Sequence, residues 1–216
     1  MKTKNFLKWI SKKWLSAFSA NLLGVIIGIA VTFMVSDWIS SRNEKKDIQR
    51  HLDMVKMELE DNLPMVQEQS IFYKQTRSLA NYLITIGRQE NLQADSLKKY
   101  EDVIRNVPIV SYQSNAYEML KSSGTMRLIR DKELLKSILD SYSALEDAQK
   151  VGNGEMERKS NKLFDVITEN ELDYELLPLM QKPENKSLFN YFSIYTGAEG
   201  NFQQCEQQIQ KTLKLF

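Results

Sequence analysis

Trp14-Leu-Ser-Ala-Phe18-Ser-Ala-Asn-Leu-Leu-Gly24-Val-Ile-Ile-Gly28-Ile-Ala-Val-Thr32-Phe-Met-Val-Ser36 runs for 23 residues without one charged side chain. Its reading decides the fold. A helix of about 20 apolar residues spans the roughly 30 Å hydrocarbon core of a bilayer, and this stretch is long enough. Trp9 and Trp14 flank its start and Trp38 its end, at the headgroup level that amphipathic indole rings prefer. A cleaved signal peptide has the same basic start but a shorter apolar region, about 7 to 15 residues, followed by a small-x-small cleavage site. Here the small residues Ala17, Ser19 and Ala20 precede the most apolar part, and Asp37-Trp38-Ile39 follows it. The expectation is an uncleaved transmembrane signal anchor over 14–38.

The charges on either side agree with an anchor. Of 216 residues, 29 are Lys or Arg and 28 are Asp or Glu, a balance that hides a segregation. Lys2, Lys4, Lys8, Lys12 and Lys13 form a basic head with no acid, whereas residues 48–216 hold 21 Lys/Arg against 25 Asp/Glu, a net of −4. Five head lysines face Arg42, Lys45, Lys46 and Arg50 on the other side of the apolar run. With the amino terminus added, the Lys/Arg bias places the head in the cytoplasm and the body outside the inner membrane. The formal net charge of +1 gives no global footprint for a nucleic-acid partner. Within the run, Ser16, Ala20, Gly24, Gly28 and Thr32 recur every four residues and include a GxxxG. Such a stripe lets two helix backbones approach closely in lipid, so Ala20, Gly24, Gly28 and Thr32 are the candidate packing face for a homo-oligomer or partner helix.

Beyond the membrane the periodicity is helical, with no sustained alternation and no Asn-Gly or Asp-Gly hairpin turn. Ile48, Leu52, Val55 and Leu59 mark a helix leaving the membrane over 39–63, and Pro64 either kinks it or starts the next. Phe72, Leu79, Leu83 and Ile86 continue an apolar face up to Gly87. After a polar connection over Gln89–Ala94, Asp95 can cap a short helix with Leu97, Tyr100, Val103 and Ile104 inside, ending before Pro108. Asn115 and Glu118 have capping-box spacing, and Lys121-Ser-Ser-Gly124 closes that segment. Asp131 caps a longer helix carrying Leu134, Leu135, Ile138, Tyr142 and Leu145, which Gly152-Asn-Gly154 is expected to interrupt before Met156, Leu163, Phe164 and Ile167 resume. Pro178 and Pro183 bracket a loop, and 188–195 and 202–216 read as two helices separated near Gly197 and Gly200. The expected fold is all-α: one N-terminal transmembrane helix followed by an irregular antiparallel helical bundle over 64–216.

Two segments are similar to a known group. Asn21-Leu-Leu-Gly24-Val-Ile-Ile-Gly28-Ile-Ala-Val-Thr32-Phe33 with Asp37-Trp38 is the first. The second is Ala116-Tyr117-Glu118-Met-Leu120-Lys121-Ser-Ser-Gly124, with Leu128-Ile129, Asp131-Lys-Glu-Leu134 and Ser141-Tyr142 downstream. Together they resemble the anchor and central helix-glycine-helix signature of a domain-of-unknown-function family of bacterial membrane proteins common in Bacteroidota. Where that family often has a Gly-Glu pair entering the apolar run, this chain has Ala20-Asn21. The resemblance implies a single-pass anchor with an all-helical domain and brings no catalytic residue or activity with it. Physically the signature serves structure: Tyr117 and Leu120 face inward, Gly124 permits a left-handed stop, and Asp131 starts the next helix.

Composition limits the chemistry. One Cys, Cys205, and one His, His51, exclude a disulfide framework, a Cys-based zinc cluster and any site needing two imidazoles. Asp47 and His51, spaced i, i+4, can meet on a helix face as a proton-transfer pair, but read more simply as surface decoration. Ser96-Leu-Lys-Lys99 has the Ser-x-x-Lys spacing of some acyl-transfer enzymes without their companion motifs. Glu169, Glu171, Asp173 and Glu175 lack the glycine and spacing of a calcium loop. Phe189, Tyr191, Phe192, Tyr195 and Phe202 could line a ligand pocket, though their spacing suits a core. The expectation is a non-enzymatic protein without cofactor or metal, whose partners are the lipid bilayer and another protein or a second copy. A helical sensory domain signalling through a partner subunit is the alternative.

Overall fold

The computed structural model describes residues 3–86, 98, 100, 103, 108–169 and 197–216. Among them the regular structure is helical throughout: α1 (Thr3–Ile86), α2 (Asn115–Ser122), a 3-10 turn (Thr125–Leu128), α3 (Lys132–Glu169) and α4 (Gly197–Leu213). Two compact units divide the chain, Met1–Arg50 and His51–Phe216.

The first unit is the leading part of α1. From Phe18 to Asp47 every described side chain is exposed, including Leu22, Ile26, Phe33 and Trp38. An 18-residue window here reaches a mean hydropathy of 2.1 with none of it buried, so the helix is long and apolar enough to cross a membrane. All backbone bonds are closed within the helix, which is what a hydrocarbon environment demands.

Among the described residues the second unit has four legs. Leu52, Val55, Leu59, Val66, Tyr73, Leu79 and Ala80 line the inner side of α1, so the stripe begun at Ile48 is the core face. Pro64 lies inside α1 and ends nothing. A proline removes one backbone bond, and Leu59 before it and Val66 after it are both fully buried on the inner side.

The chain returns along α1 in the opposite sense. Gln113 meets Asn62, Ala116 meets Glu58, and Thr125 meets His51, so rising numbers on the return match falling numbers on α1. This second leg is the irregular one: a non-helical strap over 108–114, then α2, then the 3-10 turn. Next, α3 runs parallel to α1, with Tyr142 level with Glu58 and Gly152 with Tyr73. Last, α4 runs antiparallel to both, since Ser137 meets Thr212, Gln67 meets Glu206 and Arg77 meets Glu199. Leu134, Ile138, Leu145 and Ala148 of α3 and Phe202, Cys205 and Ile209 of α4 are all buried in the core. At about 2 kcal/mol for each large buried aliphatic, this apolar seam dominates the packing.

Three local expectations are corrected. Gly152-Asn-Gly154 does not interrupt a helix, because α3 passes straight through it. A Cβ on Gly152 would lie 2.7 Å from Val110 Cγ2 and 3.1 Å from Phe202 Cζ; the glycine is there for close approach. Likewise the last helix does not start at Phe202: α4 is described from Gly197 and takes in Gly200. The cap of α2 is Ser114, whose side chain makes no capping bond, and Glu118 pairs with Lys121 at 2.9 Å instead of reaching back. The stops behave as read: Gly124 is left-handed at φ 70, and Asp131 Oδ1 accepts the Leu134 N–H at 2.9 Å. The Gln89–Ala94 connection, Asp95, Leu97, Ile104, the Pro178–Pro183 loop and the 188–195 helix lie outside the described residues.

Candidate functional site

A non-helical segment packed on a core must find partners for its backbone N–H and C=O groups, and at Val110 and Gln113 the strap over 108–114 finds them in side-chain amides. Asn153 of α3 accepts the Val110 N–H at 2.9 Å and donates to the Val110 carbonyl at 3.0 Å, with Gln149 donating to the same carbonyl at 3.1 Å. Three residues on, Asn62 of α1 accepts the Gln113 N–H and donates to the Gln113 carbonyl, both at 2.8 Å. A primary amide carries acceptor and donor side by side, so each asparagine imitates the edge of a neighbouring strand. At the first clip Val110 is 1% exposed and sits on the bare backbone of Gly152.

Where the strap becomes α2, Glu58 takes over. Its carboxyl group accepts the N–H of Ala116 at 2.8 Å and of Tyr117 at 3.2 Å, and the Tyr142 hydroxyl donates to it at 2.5 Å. Orphan N–H groups at a helix start are commonly capped by a neighbouring side chain in sequence. Here the cap comes from another helix. Burial, then the bond to Glu58, pushes the Tyr142 hydroxyl far above the usual tyrosine range, so it remains a donor. Tyr142 also stacks on Tyr117 with centroids 4.1 Å apart, and the Lys121 ammonium lies 5.0 Å from the Tyr117 ring. The second leg is thus a rigid platform. It exposes Ile109 and Met119, and leaves Tyr112 and Tyr117 half-buried; large aromatic and apolar groups on a fixed frame are what protein interfaces use as anchors.

Polar chemistry elsewhere is structural in form. Thr212 Oγ1 lies 2.7 Å from both Ser137 Oγ and Ser141 Oγ, a buried latch between α3 and α4. Outside this latch, Asp140, Ser143, Ala144, Asp147, Asn201, Gln204 and Gln208 line an open polar cleft of about 290 Å³. Burial lifts the Cys205 thiol to about 12 and lowers the Lys159 ammonium to about 8. Among the described residues no three His, Cys, Asp or Glu side chains are grouped as metal ligands.

The residues singled out from sequence fall as follows. Gly24 and Gly28 are open, with nothing within 4 Å of an added Cβ, and Thr32 Oγ1 donates to the Gly28 carbonyl at 2.8 Å. Trp38 is exposed with the Arg42 guanidinium 5.7 Å from its ring. The side chains of Trp9, Trp14 and Ala20 lie outside what the structure describes, as do Ser96, Lys99, Glu171, Asp173, Glu175, Phe189, Tyr191, Phe192 and Tyr195. Phe202, the described member of that aromatic group, stacks on Tyr73 with centroids 5.0 Å apart. In place of an Asp47–His51 pair there are two separate contacts: Asp47 with Arg50 at 3.9 Å, and His51 Nδ1 with Thr125 Oγ1 at 3.1 Å. Sequence reasoning missed Glu58, Asn62, Gln149 and Asn153. A signal existed, because Glu58 and Asn62 share the helical face of Val55, Leu59 and Val66, where a polar group needs a buried partner.

No family model matches the chain, and neither a comparison with curated proteins nor one with solved structures returned a match.

Proposed function

We propose that the protein is a single-pass, membrane-anchored helical interaction protein of a bacterial inner membrane, holding its body on the outer side of that membrane to meet a protein partner. The observation that carries this reading is the exposed apolar surface of α1 from Phe18 to Ile39. That surface is far more apolar area than a water-soluble helix leaves open, and a bilayer covers it. The five head lysines support a cytoplasmic amino terminus. For the partner, support comes from the strap and α2, where Ile109, Tyr112, Tyr117 and Met119 stand on a frame pinned by Asn62, Asn153 and Glu58. The reading assigns no catalytic residue. Protease added outside spheroplasts tests it: digestion of the body with the head left intact is expected, and protection of the whole chain contradicts the orientation.

A ligand-sensing body that signals through a partner subunit is a second reading, favoured by the polar cleft between α3 and α4. Its two aspartates and three amides suit a cationic or amine ligand. Protection of the Asp140 and Asp147 region from hydrogen exchange by such a ligand, and not by a neutral analogue, would favour it over the interaction reading.

A further inference from the structure

We infer that the helical face just past the apolar run, made by Trp38, Arg42, Lys45 and Lys46, binds the phosphates of anionic phospholipids; this rests on the membrane reading above and gives it a lipid preference. The charges of this segment are sorted by face. With about 100° between successive residues, Arg42 and Lys46 lie about 40° and 80° around the axis from Trp38 to one side, and Lys45 about 20° to the other. Asp37, Glu44 and Asp47 lie between about 100° and 180° away, on the opposite side. Arg50, nearest to those acids, is paired with Asp47 at 3.9 Å. Cations gathered on one face and acids on the other leave the basic face uncompensated, and Arg42, Lys45 and Lys46 are all exposed.

The depth suits the phosphate layer. An indole at the end of the apolar run sits at the headgroup level, and a helix rises about 1.5 Å per residue, so Arg42 stands roughly 6 Å beyond Trp38. Headgroup layers are about 5 to 8 Å thick on each side of the core. Arg42 therefore stands within that layer, with its guanidinium 5.7 Å from the Trp38 ring, a contact that holds the cation at this level. Lys45 and Lys46 stand one turn further out, and their long stems let the ammonium groups reach back towards the phosphates. A guanidinium flanked by two ammonium groups favours a lipid with net negative charge over a zwitterionic one, whose choline carries a compensating cation.

Full-length protein placed in nanodiscs of equal parts phosphatidylglycerol and phosphatidylcholine tests this, by counting the lipids retained on mild detergent extraction. Wild type is expected to retain phosphatidylglycerol severalfold over phosphatidylcholine, an excess that shrinks with added salt. Arg42→Gln/Lys45→Gln/Lys46→Gln should lower the excess severalfold while still incorporating, leaving only the share held by the five head lysines, and Glu44→Gln/Asp47→Asn should keep the excess. An unchanged excess in the triple variant overturns the assignment. Incorporation is scored first: a wild-type chain that does not enter nanodiscs refutes the anchor itself, whereas entry with equal retention of both lipids refutes only the preference.

Discussion

Glu58 of α1 caps the Ala116 N–H of α2 at 2.8 Å, so a helix that begins late in the chain is started by a side chain from the helix that leaves the apolar run. The same carboxyl group holds Tyr142 of α3, and three legs of the bundle meet on one residue. Glu58→Ala strands two backbone donors and a buried hydroxyl, each worth about 1 to 3 kcal/mol when unsatisfied. A loss of about 3 kcal/mol is expected in chemical unfolding of the purified full chain, against about 1 kcal/mol for Tyr142→Phe. The double variant should lose less than the sum of the two, because both remove one bond.

Gly152 and Gly154 lie two residues apart in α3 and should respond oppositely to alanine. At Gly152 the new methyl meets Val110 at 2.7 Å and Phe202 at 3.1 Å, an overpacking that costs about 1 to 3 kcal/mol. At Gly154 nothing lies within 4 Å, so alanine stabilises the helix by about 0.5 to 1 kcal/mol. Thermal unfolding followed by circular dichroism separates the two, and equal shifts would contradict the packing described.

Lys159 supplies a pH dependence. Burial lowers its ammonium from 10.5 to about 8 in the folded chain, while its amine donates to the Val103 carbonyl and lies over the Phe72 ring at 5.4 Å. Between these values the unfolded chain binds a proton that the folded chain has released, so stability rises with pH. The burial penalty is fully present below pH 8 and fades towards 10.5. Melting temperatures measured from pH 8 upwards should climb in wild type and climb less in Lys159→Met.

The open stripe of α1 gives a prediction within the membrane. If Gly24 and Gly28 form a packing face, Gly24→Ile/Gly28→Ile fills the approach of a second helix. Crosslinking in native membranes should then fall severalfold relative to wild type. Unchanged crosslinking would remove the stripe from any interface.

The legible parts of this fold were those set by local chemistry. Leu52, Val55 and Leu59 announced the core face of α1 by spacing alone, and Asp131 and Gly124 announced a start and a stop through backbone requirements confined to a few residues. What could not be read depended on partners distant in sequence. Gly152 resembles a helix breaker until Val110 and Phe202 are placed against it. Glu58 and Asn62 stand on the apolar face of α1 and so announce a need for buried partners, but the identity of those partners is hidden, because they come more than 50 positions later. The exposed apolar run was legible throughout, since its length and lack of charge are properties of one segment.

The central claim is that this run is embedded in a bilayer, and alkaline carbonate extraction of membranes from cells expressing the full chain tests it most directly. Wild type is expected to stay in the membrane pellet. Val25→Arg/Ile29→Arg, which adds two charges at about 2.5 to 3.5 kcal/mol each near the centre of the span, should move to the supernatant. Release of the wild-type chain into the supernatant would contradict the account.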